Sequence, residues 1–300
     1  MLKKIYSCWL KVLVLLFGID FAKQFDAYLR FRRKLNLKNP KTLADKVTYL
    51  FLHKSTPLMS TCTDKWAVRE YIASKGLSDI LIPTLGGPWT SVKDINFDSL
   101  PNEFILKATH GCKMNYFVPD KSKLDIPSCK RTLQKWIDTT YGTYSMEPHY
   151  KPIPHRIYAE QLLGQSTEMV DYKFNCLNGK PQFILVGSER DASKGRMSVK
   201  FSLLDTNWKS LNQYLQTSGL EVPNSQQVSR PQHLEQMLSI SSLLSADFPF
   251  VRVDLYEVKG KIYFGELTFS PFCGVYPILT DDFIEKMGNL LILSGKINEK

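Results

Sequence analysis

Much of the common catalytic vocabulary is missing from these 300 residues. The six cysteines, Cys8, Cys62, Cys112, Cys129, Cys176 and Cys273, contain no CxxC pair. They read as reduced thiols, not as a disulfide framework or a zinc site. The five histidines, His53, His110, His149, His155 and His233, show no HxH or HxxxH spacing, which removes a second metal signature. No G-x-S-x-G elbow, G-x-G-x-x-G turn or G-x-x-x-x-G-K-[ST] loop occurs. Those absences argue against a covalent hydrolase, a Rossmann enzyme and a P-loop NTPase. Long apolar runs are scarce too. From Ile5 to Ile19 the only charge is Lys11, but a helix of that length reaches roughly 22 Å against a hydrocarbon core of about 30 Å. No internal repeat or low-complexity tract appears, and 43% hydrophobic with 23% charged residues fits a packed chain of one or two domains.

Positive charge is present in excess, and unevenly. The chain carries a formal net charge of +10, of which residues 1–54 hold +9, with twelve Lys/Arg and three acids. A general nucleic-acid binder would spread its cations over the folded body, so no nucleic-acid partner is expected. Trp9, Leu10, Val12, Leu13, Leu15, Leu16 and Phe17 crowd beside Lys3, Lys4, Lys23, Arg30, Arg32, Arg33 and Lys34. Residues 1–34 therefore read as an interfacial anchor for an anionic membrane surface. A signal peptide lacking a small-x-small cleavage site, and a helix packed on its own core, are the alternatives.

Along the chain, residues 36–53 carry Leu43, Val47, Leu50 and Phe51 at helical spacing, with Thr42 and Asp45 set as a capping box. A second helix is predicted over 64–75, ended by Gly76, with Lys65 and Arg69 one turn apart on one face. Residues 82–87 form a strand-to-loop edge. Strands 103–108 and 116–120 flank the polar loop 109–115, and a helix follows near 128–140. Further strands are predicted at 156–163, 171–177 and 181–190, the last two joined by the tight-turn pair Asn178-Gly179. Residues 205–230 read as a long loop or lid and 233–246 as a helix. Strands 250–258 and 261–269 make a hairpin about Lys259-Gly260, and a last helix runs from about 280 to 293. Strands and helices mix without βαβ alternation, so the fold class is α+β.

The C-terminal hairpin is the most informative unit. A turn near Lys259-Gly260 sets Asp254 and Glu266 nearly opposite each other on one face. Paired like charges call for a cation, and hard carboxylate oxygens suit Mg²⁺. Arg252 shares the face, so a charge pair neutralised by that arginine is the alternative. Lys107 ends an apolar strand and needs an anionic partner or a depressed pKa, unless it snorkels from the strand end to solvent. The loop after it, containing Gly111, could present backbone N–H groups to a phosphate, or be an ordinary hairpin turn. Glu160 follows an apolar stretch suited to a purine slot. Asp171 and Lys173 alternate onto one face of the next strand, either as a site pair or as a salt-bridged edge.

Taken in order, NLKNPKTLADKVTYL (36–50), TDKWAVREYI (63–72), IPTLGG, FDSLPNEFILKATHGCKMN (97–115), YAEQLL (158–163), DYKFNCLNGKPQFI (171–184) and RVDLYEVKGKIYFGELTFSPFCG (252–274) resemble the ATP-grasp superfamily, specifically its teichuronopeptide-synthesis, TupA-like branch. The resemblance spans about residues 30–290. It implies two α+β lobes whose antiparallel sheets clamp ATP, plus an N-terminal helical segment. It divides the chain into 1–30, a possible membrane-surface anchor; 31–100, a helical region before the grasp; 101–163, the small lobe with a phosphate flap; and 164–300, the C-terminal lobe with the metal site. By position, Lys65 and Lys107 resemble the nucleotide-binding lysines. His110, Gly111, Lys113 and Asn115 lie in the flap, Glu160, Gln161, Leu162 and Leu163 resemble the adenine hinge, and Asp171 belongs to the same nucleotide set. Asp254, Glu266 and Thr268 stand at the Mg²⁺ positions, although relatives prefer Asn at the third of these and a small residue where Lys113 stands.

The reaction implied is ATP-dependent ligation of a carboxylate to an amine through an acyl phosphate. Lys173 and Arg252 would offset the developing charge, and Arg190, with Arg196, would grip a substrate carboxylate. The branch further implies a uronic-acid-containing surface polysaccharide or its lipid-linked precursor, joined to an amino acid or small amine. The implied location is the cytoplasm, peripheral to the inner face of the membrane. A glycosyltransferase of the same pathway lacks its DxD pair here, and a non-catalytic protein of this fold is the other alternative.

Overall fold

A computed structural model of the chain describes residues 2–142, 146–164, 170–191, 198–218, 221–224 and 228–293. In chain order, helices α1 (Leu2–Phe31), α2 (Leu43–His53), α3 (Pro57–Thr63) and α4 (Val68–Ser74) come first. Strands β1 (Thr84–Trp89), β2 (Phe104–Ala108) and β3 (Asn115–Val118) follow, then α5 (Ile126–Ile137) and β4 (Ile157–Glu160). The rest is β5 (Asp171–Leu177), β6 (Lys180–Asp191), β7 (Ser198–Leu204), β8 (Glu221–Pro223), α6 (Leu234–Ser245), β9 (Phe250–Val258), β10 (Lys261–Thr268) and α7 (Asp281–Leu290).

The strands form two sheets. The smaller has order β1-β4-β2-β3 and is antiparallel throughout. The larger has order β10-β9-β5-β6-β7-β8, antiparallel except where β8 joins β7. The α+β class expected from the sequence is what the chain adopts. Both predicted tight turns form with paired left-handed residues, Asn178-Gly179 and Lys259-Gly260, the geometry that matches strand twist in a two-residue hairpin.

Each sheet owns a core. In the large sheet, Phe174, Cys176, Val251 and Val253 are buried on the face where Ser241 of α6 lies, and the alternate residues Lys173, Arg252 and Asp254 take the opposite face. In the small sheet, Phe104, Leu106, Ile157 and Ala159 pack with Cys129 and Leu133 of α5. The capping box at α2 forms as read: the Asp45 N–H donates to Thr42 Oγ1 (3.1 Å) and the Thr42 N–H to Asp45 Oδ2 (3.0 Å).

Four elements depart from the sequence reading. Helix α3 was not assigned, because its seven residues PLMSTCT are too short for a helical period to show. Residues 64–67 make a turn, so α4 starts four residues later than predicted. Strand β7 was also unassigned, and the 205–230 loop contributes β8.

The N-terminal helix does two things at once. It bends at Gly18 (φ 83°), and its inner side buries Leu10, Ala22, Lys23, Asp26 and Ala27. The Lys23 ammonium sits 5.2 Å from the Phe51 ring centroid, and Tyr6 donates to Asp26 (2.7 Å). Beneath it, Ser270 donates to Glu147 and lies 3.3 Å from His149 Nε2.

His149 is neutral in this setting: burial, then the nearby Lys23 charge, push its pKa down to about 3. The unfolded chain takes up this proton near pH 6.5, so it binds more protons than the fold between those values. Stability is expected to fall as pH drops from about 6.5 towards 3, this group contributing on the order of 1 kcal/mol per pH unit. Urea unfolding across that range should show the slope shrinking in His149→Gln. An identical slope would place the acid sensitivity elsewhere.

Candidate functional site

Three neighbouring strands build a charged face from the bottom up. Lys173 of β5 is the register partner of Asp254 of β9, and Asp254 is the partner of Glu266 of β10. Two residues along, Arg252 pairs with Thr268. The predicted opposition of Asp254 and Glu266 is therefore present, but by a route the sequence reading did not foresee. The turn alone pairs Phe264 with Leu255, which would set Gly265 opposite Asp254 and turn Glu266 to the apolar face. A bulge between Phe264 and Glu266 inserts Gly265 and reverses the alternation. A Cβ at Gly265 would meet the Asp254 carbonyl oxygen and the Tyr256 ring at 2.9 Å, so only glycine fits there without displacement.

Side chains on this face alternate in sign. Arg252 donates from Nε and Nη2 to Asp254 (2.6 and 2.7 Å), and from Nη2 to Glu266 (3.3 Å) and Thr268 (3.1 Å). Lys173 donates to Asp254 (2.8 Å) and lies 3.2 Å from Asp171. The Thr268 hydroxyl donates to Glu266 (2.9 Å). Asp254 is almost wholly buried, whereas the Glu266 side chain remains one-third exposed. Burial opposes ionisation of Glu266, but the charges on Lys65, Arg252 and Lys173 and the Thr268 hydroxyl hold its pKa below the usual range. For Lys173, burial is likewise overcome by Asp254 and Asp171, and the pKa rises.

The small sheet faces this with its own pair. Lys107 donates to Glu160, supplying the anion that a strand-end lysine needs, and Arg69 lies 3.6 Å from the other Glu160 oxygen. The turn before α4 joins the two sets. Lys65 donates to the Gly111 carbonyl (2.8 Å) and lies 3.8 Å from Glu266. Its own N–H donates to the Thr109 carbonyl (3.1 Å). Asp64 holds the corner by accepting from the Trp66 and Ala67 N–H groups (2.8 and 3.2 Å) and from Arg156 (2.7 Å).

The remaining sequence candidates fall in varied places. His110 is buried, its Nε2 2.9 Å from the Trp136 carbonyl and its ring stacked on His155 at 4.0 Å. Lys113 (φ 61°) and Asn115 are exposed at the loop tip and the start of β3. Gln161 leaves β4 with its N–H on the Pro83 carbonyl (3.0 Å), and Leu162 and Leu163 follow, half-buried. Arg190 lies on β6, but its side chain, like all of Arg196, is outside the described residues. Sequence reasoning did not nominate Arg69, Asp64 or Arg156. The one-turn spacing of Lys65 and Arg69 was the available signal for the first.

A sequence profile of TupA-like ATP-grasp proteins matches residues 45–292. The chain belongs to that family. No curated protein matches it. Solved structures it is similar to include D-alanine–D-alanine ligase from Bacillus anthracis (14% identity, TM-score 0.44, covering 77% of this chain and 63% of that one). Another is L-amino acid ligase from Bacillus licheniformis (14%, 0.45, 79% and 50%). A third is N5-carboxyaminoimidazole synthase from Aspergillus clavatus (12%, 0.40, 70% and 44%). The chain thus spans about half of the length of these proteins.

The donor set fits the magnesium that an ATP-grasp fold implies. Two carboxylates stand in register and Glu266 is partly open to solvent, and Mg²⁺ usually takes one or two carboxylates with the rest from phosphate and water. Among the described residues no group of three or more His, Cys, Asp or Glu could hold a metal.

Replacing Gly265 by Ala is expected to lower the unfolding free energy by about 1–3 kcal/mol and to move the Glu266 carboxyl pKa up towards the ordinary range. Carbon-detected NMR titration reads the second effect. A variant with wild-type stability and titration would show that the bulge tolerates a side chain.

Proposed function

We propose that this protein is an ATP- and Mg²⁺-dependent carboxylate–amine ligase. It joins an amino acid or small amine to a uronic-acid-containing surface polysaccharide or its lipid-linked precursor. The observation that carries this reading is the in-register Asp254–Glu266 pair, flanked by Arg252 and Lys173 and within 3.8 Å of Lys65. Residues 101–163 serve as the small lobe and 164–300 as the large one, with residues 31–100 supplying the Lys65 corner.

In this scheme a carboxylate oxygen of the acceptor attacks the γ-phosphorus of ATP and ADP leaves. The amine nitrogen then attacks the acyl carbon, phosphate leaves, and the amine loses a proton. Asp254 and Glu266 would hold Mg²⁺, which supplies charge neutralisation at the phosphates. Lys65 and Lys107 bind phosphate oxygens. Lys173 and Arg252 sit where negative charge builds during transfer, held ready by the acids beside them, so little reorganisation is needed. The flap residues Gly111, Lys113 and Asn115 cover the phosphates, with His110 fixing the flap's base against Trp136. Glu160 is already matched by Lys107 and Arg69, which leaves Gln161, Leu162 and Leu163 to meet the base. Asp171 orients Lys173, and Arg190 grips a substrate carboxylate.

The test is turnover. Purified protein with ATP, Mg²⁺, a glucuronate-containing oligosaccharide and a panel of amines is expected to release ADP and phosphate only when both acceptors are present. Glu266→Gln and Lys107→Ala should each lower kcat/KM by about 100-fold or more, the scale of losing one preorganised charge contact. UDP release from a nucleotide sugar would instead support a glycosyltransferase, and nucleotide binding without turnover a non-catalytic role.

Membrane-surface association accompanies this reading. No helix among the described residues is long and apolar enough to cross a membrane. Yet among the described residues eight of the thirteen exposed large hydrophobics lie on α1, including Leu15, Leu16 and Phe17, each 60% or more exposed, in the segment that holds most of the net charge. Co-sedimentation with phosphatidylserine vesicles is expected to be salt-sensitive and to fall at least tenfold in the double variant L15E/L16E. Equal binding by the variant would count against the anchor.

A further inference from the structure

Three of the four carboxylate oxygens on Asp254 and Glu266 are already committed within the protein. Asp254 Oδ1 accepts from Arg252 Nε (2.6 Å), and Asp254 Oδ2 accepts from Arg252 Nη2 (2.7 Å) and Lys173 Nζ (2.8 Å). Glu266 Oε1 accepts from Arg252 Nη2 (3.3 Å) and from the Thr268 hydroxyl (2.9 Å). Glu266 Oε2 is the exception. It accepts no hydrogen bond from the described residues, and Lys65 Nζ lies 3.8 Å away.

One nitrogen stands between the two acids. Arg252 Nη2 is within hydrogen-bond reach of Asp254, Glu266 and Thr268 Oγ1 (3.1 Å) together, so a cation already bridges the carboxylates. Its place is set by the sheet. Arg252 is the register partner of Thr268 on β10 and of Asn175 on β5, and its side chain is only 10% exposed. Two N–H groups forked onto one carboxylate make a strong and directional contact. Thr268 is turned inward as well, since its hydroxyl donates to Glu266 and accepts from Arg252. A divalent ion taking an oxygen from each acid would have to displace this guanidinium. The alternative is to stand beside it and Lys173, three like charges in a buried setting where screening is weak. An ion on Glu266 Oε2 breaks none of these hydrogen bonds, and Mg²⁺ readily draws its other ligands from phosphate and water.

We propose that this face takes one divalent ion and not a pair, Glu266 Oε2 being the carboxylate oxygen that binds it. The Arg252 guanidinium serves as the second cation, built into the chain between the two acids. Within the pair that holds the ion, Asp254 acts by fixing Arg252 and Glu266 by its open oxygen. This rests on the ligase reading and specifies its metal requirement: one ion and one arginine meet the charge of the transferred phosphoryl group.

The test counts ions. The full chain, saturated with the non-hydrolysable analogue adenylyl imidodiphosphate, is titrated with Mn²⁺. Ultrafiltration gives the metal retained per chain, and low-temperature EPR shows whether two ions lie close enough to couple, as a pair roughly 3.5–4 Å apart does. Wild type is expected to retain one Mn²⁺ with the spectrum of an isolated ion. Arg252→Gln, which removes the bridging cation, should retain two that couple. Glu266→Gln should weaken Mn²⁺ retention by about tenfold or more. The wild-type count needs no variant, so poor folding of Arg252→Gln leaves the test intact. Two ions in wild type, one ion in folded Arg252→Gln, or unchanged retention in Glu266→Gln overturns the proposal and leaves the ligase reading standing. Failure of wild type to bind the analogue with Mn²⁺ overturns the ligase reading and the proposal with it.

Discussion

A carboxylate buried on the face of a β-sheet is tolerable only beside cations, and the site grows from that requirement. Asp254 is enclosed by β5 and β10, with both oxygens held by Arg252 and Lys173. Removing either cation would strand a buried charge, a loss on the order of 3–5 kcal/mol. Arg252 also reaches Glu266, and Lys65 approaches it from the turn before α4, so three carboxylates and three cations form one network across three strands and that turn. Its charges are matched by partners within the protein before any ligand arrives. Only Glu266 retains appreciable contact with solvent, and it is the position through which that network meets anything else.

The two sheets contribute unequal parts. The large one supplies the balanced network. The small one supplies Lys107 with Glu160, and Arg69 adds a second cation to that acid, leaving a local excess of positive charge suited to phosphate. The turn at residues 64–67 joins them through backbone and side chain together. Asp64 ties two amides and one guanidinium together there.

Legibility in the sequence followed the range of the interaction. The capping box of Thr42 and Asp45, the two tight hairpins and the alternation in β9 were readable because each is fixed within a few residues. An anion was one of the alternatives open for Lys107, and its identity as Glu160 depends on β2 lying beside β4, which no local pattern encodes. The facing of Asp254 and Glu266 was read from turn arithmetic that placed the turn about half a residue too late. The bulge at Gly265 supplies that difference, and a lone glycine in a strand is the signal that could have revealed it. Helix α3 and the Asp64–Arg156 pair stayed invisible, one for want of length and the other because its partners are far apart in the chain.

Lys65 has a consequence of its own. An ammonium carries three hydrogens, and in this structure one is committed to the carbonyl of Gly111 while the charge leans towards Glu266. At least one hydrogen is thus left over, so this single nitrogen can stay on the loop carbonyl and still meet a further acceptor. The 109–115 segment and the β10 carboxylate are tied through one shared cation, and a change at either is felt at the other.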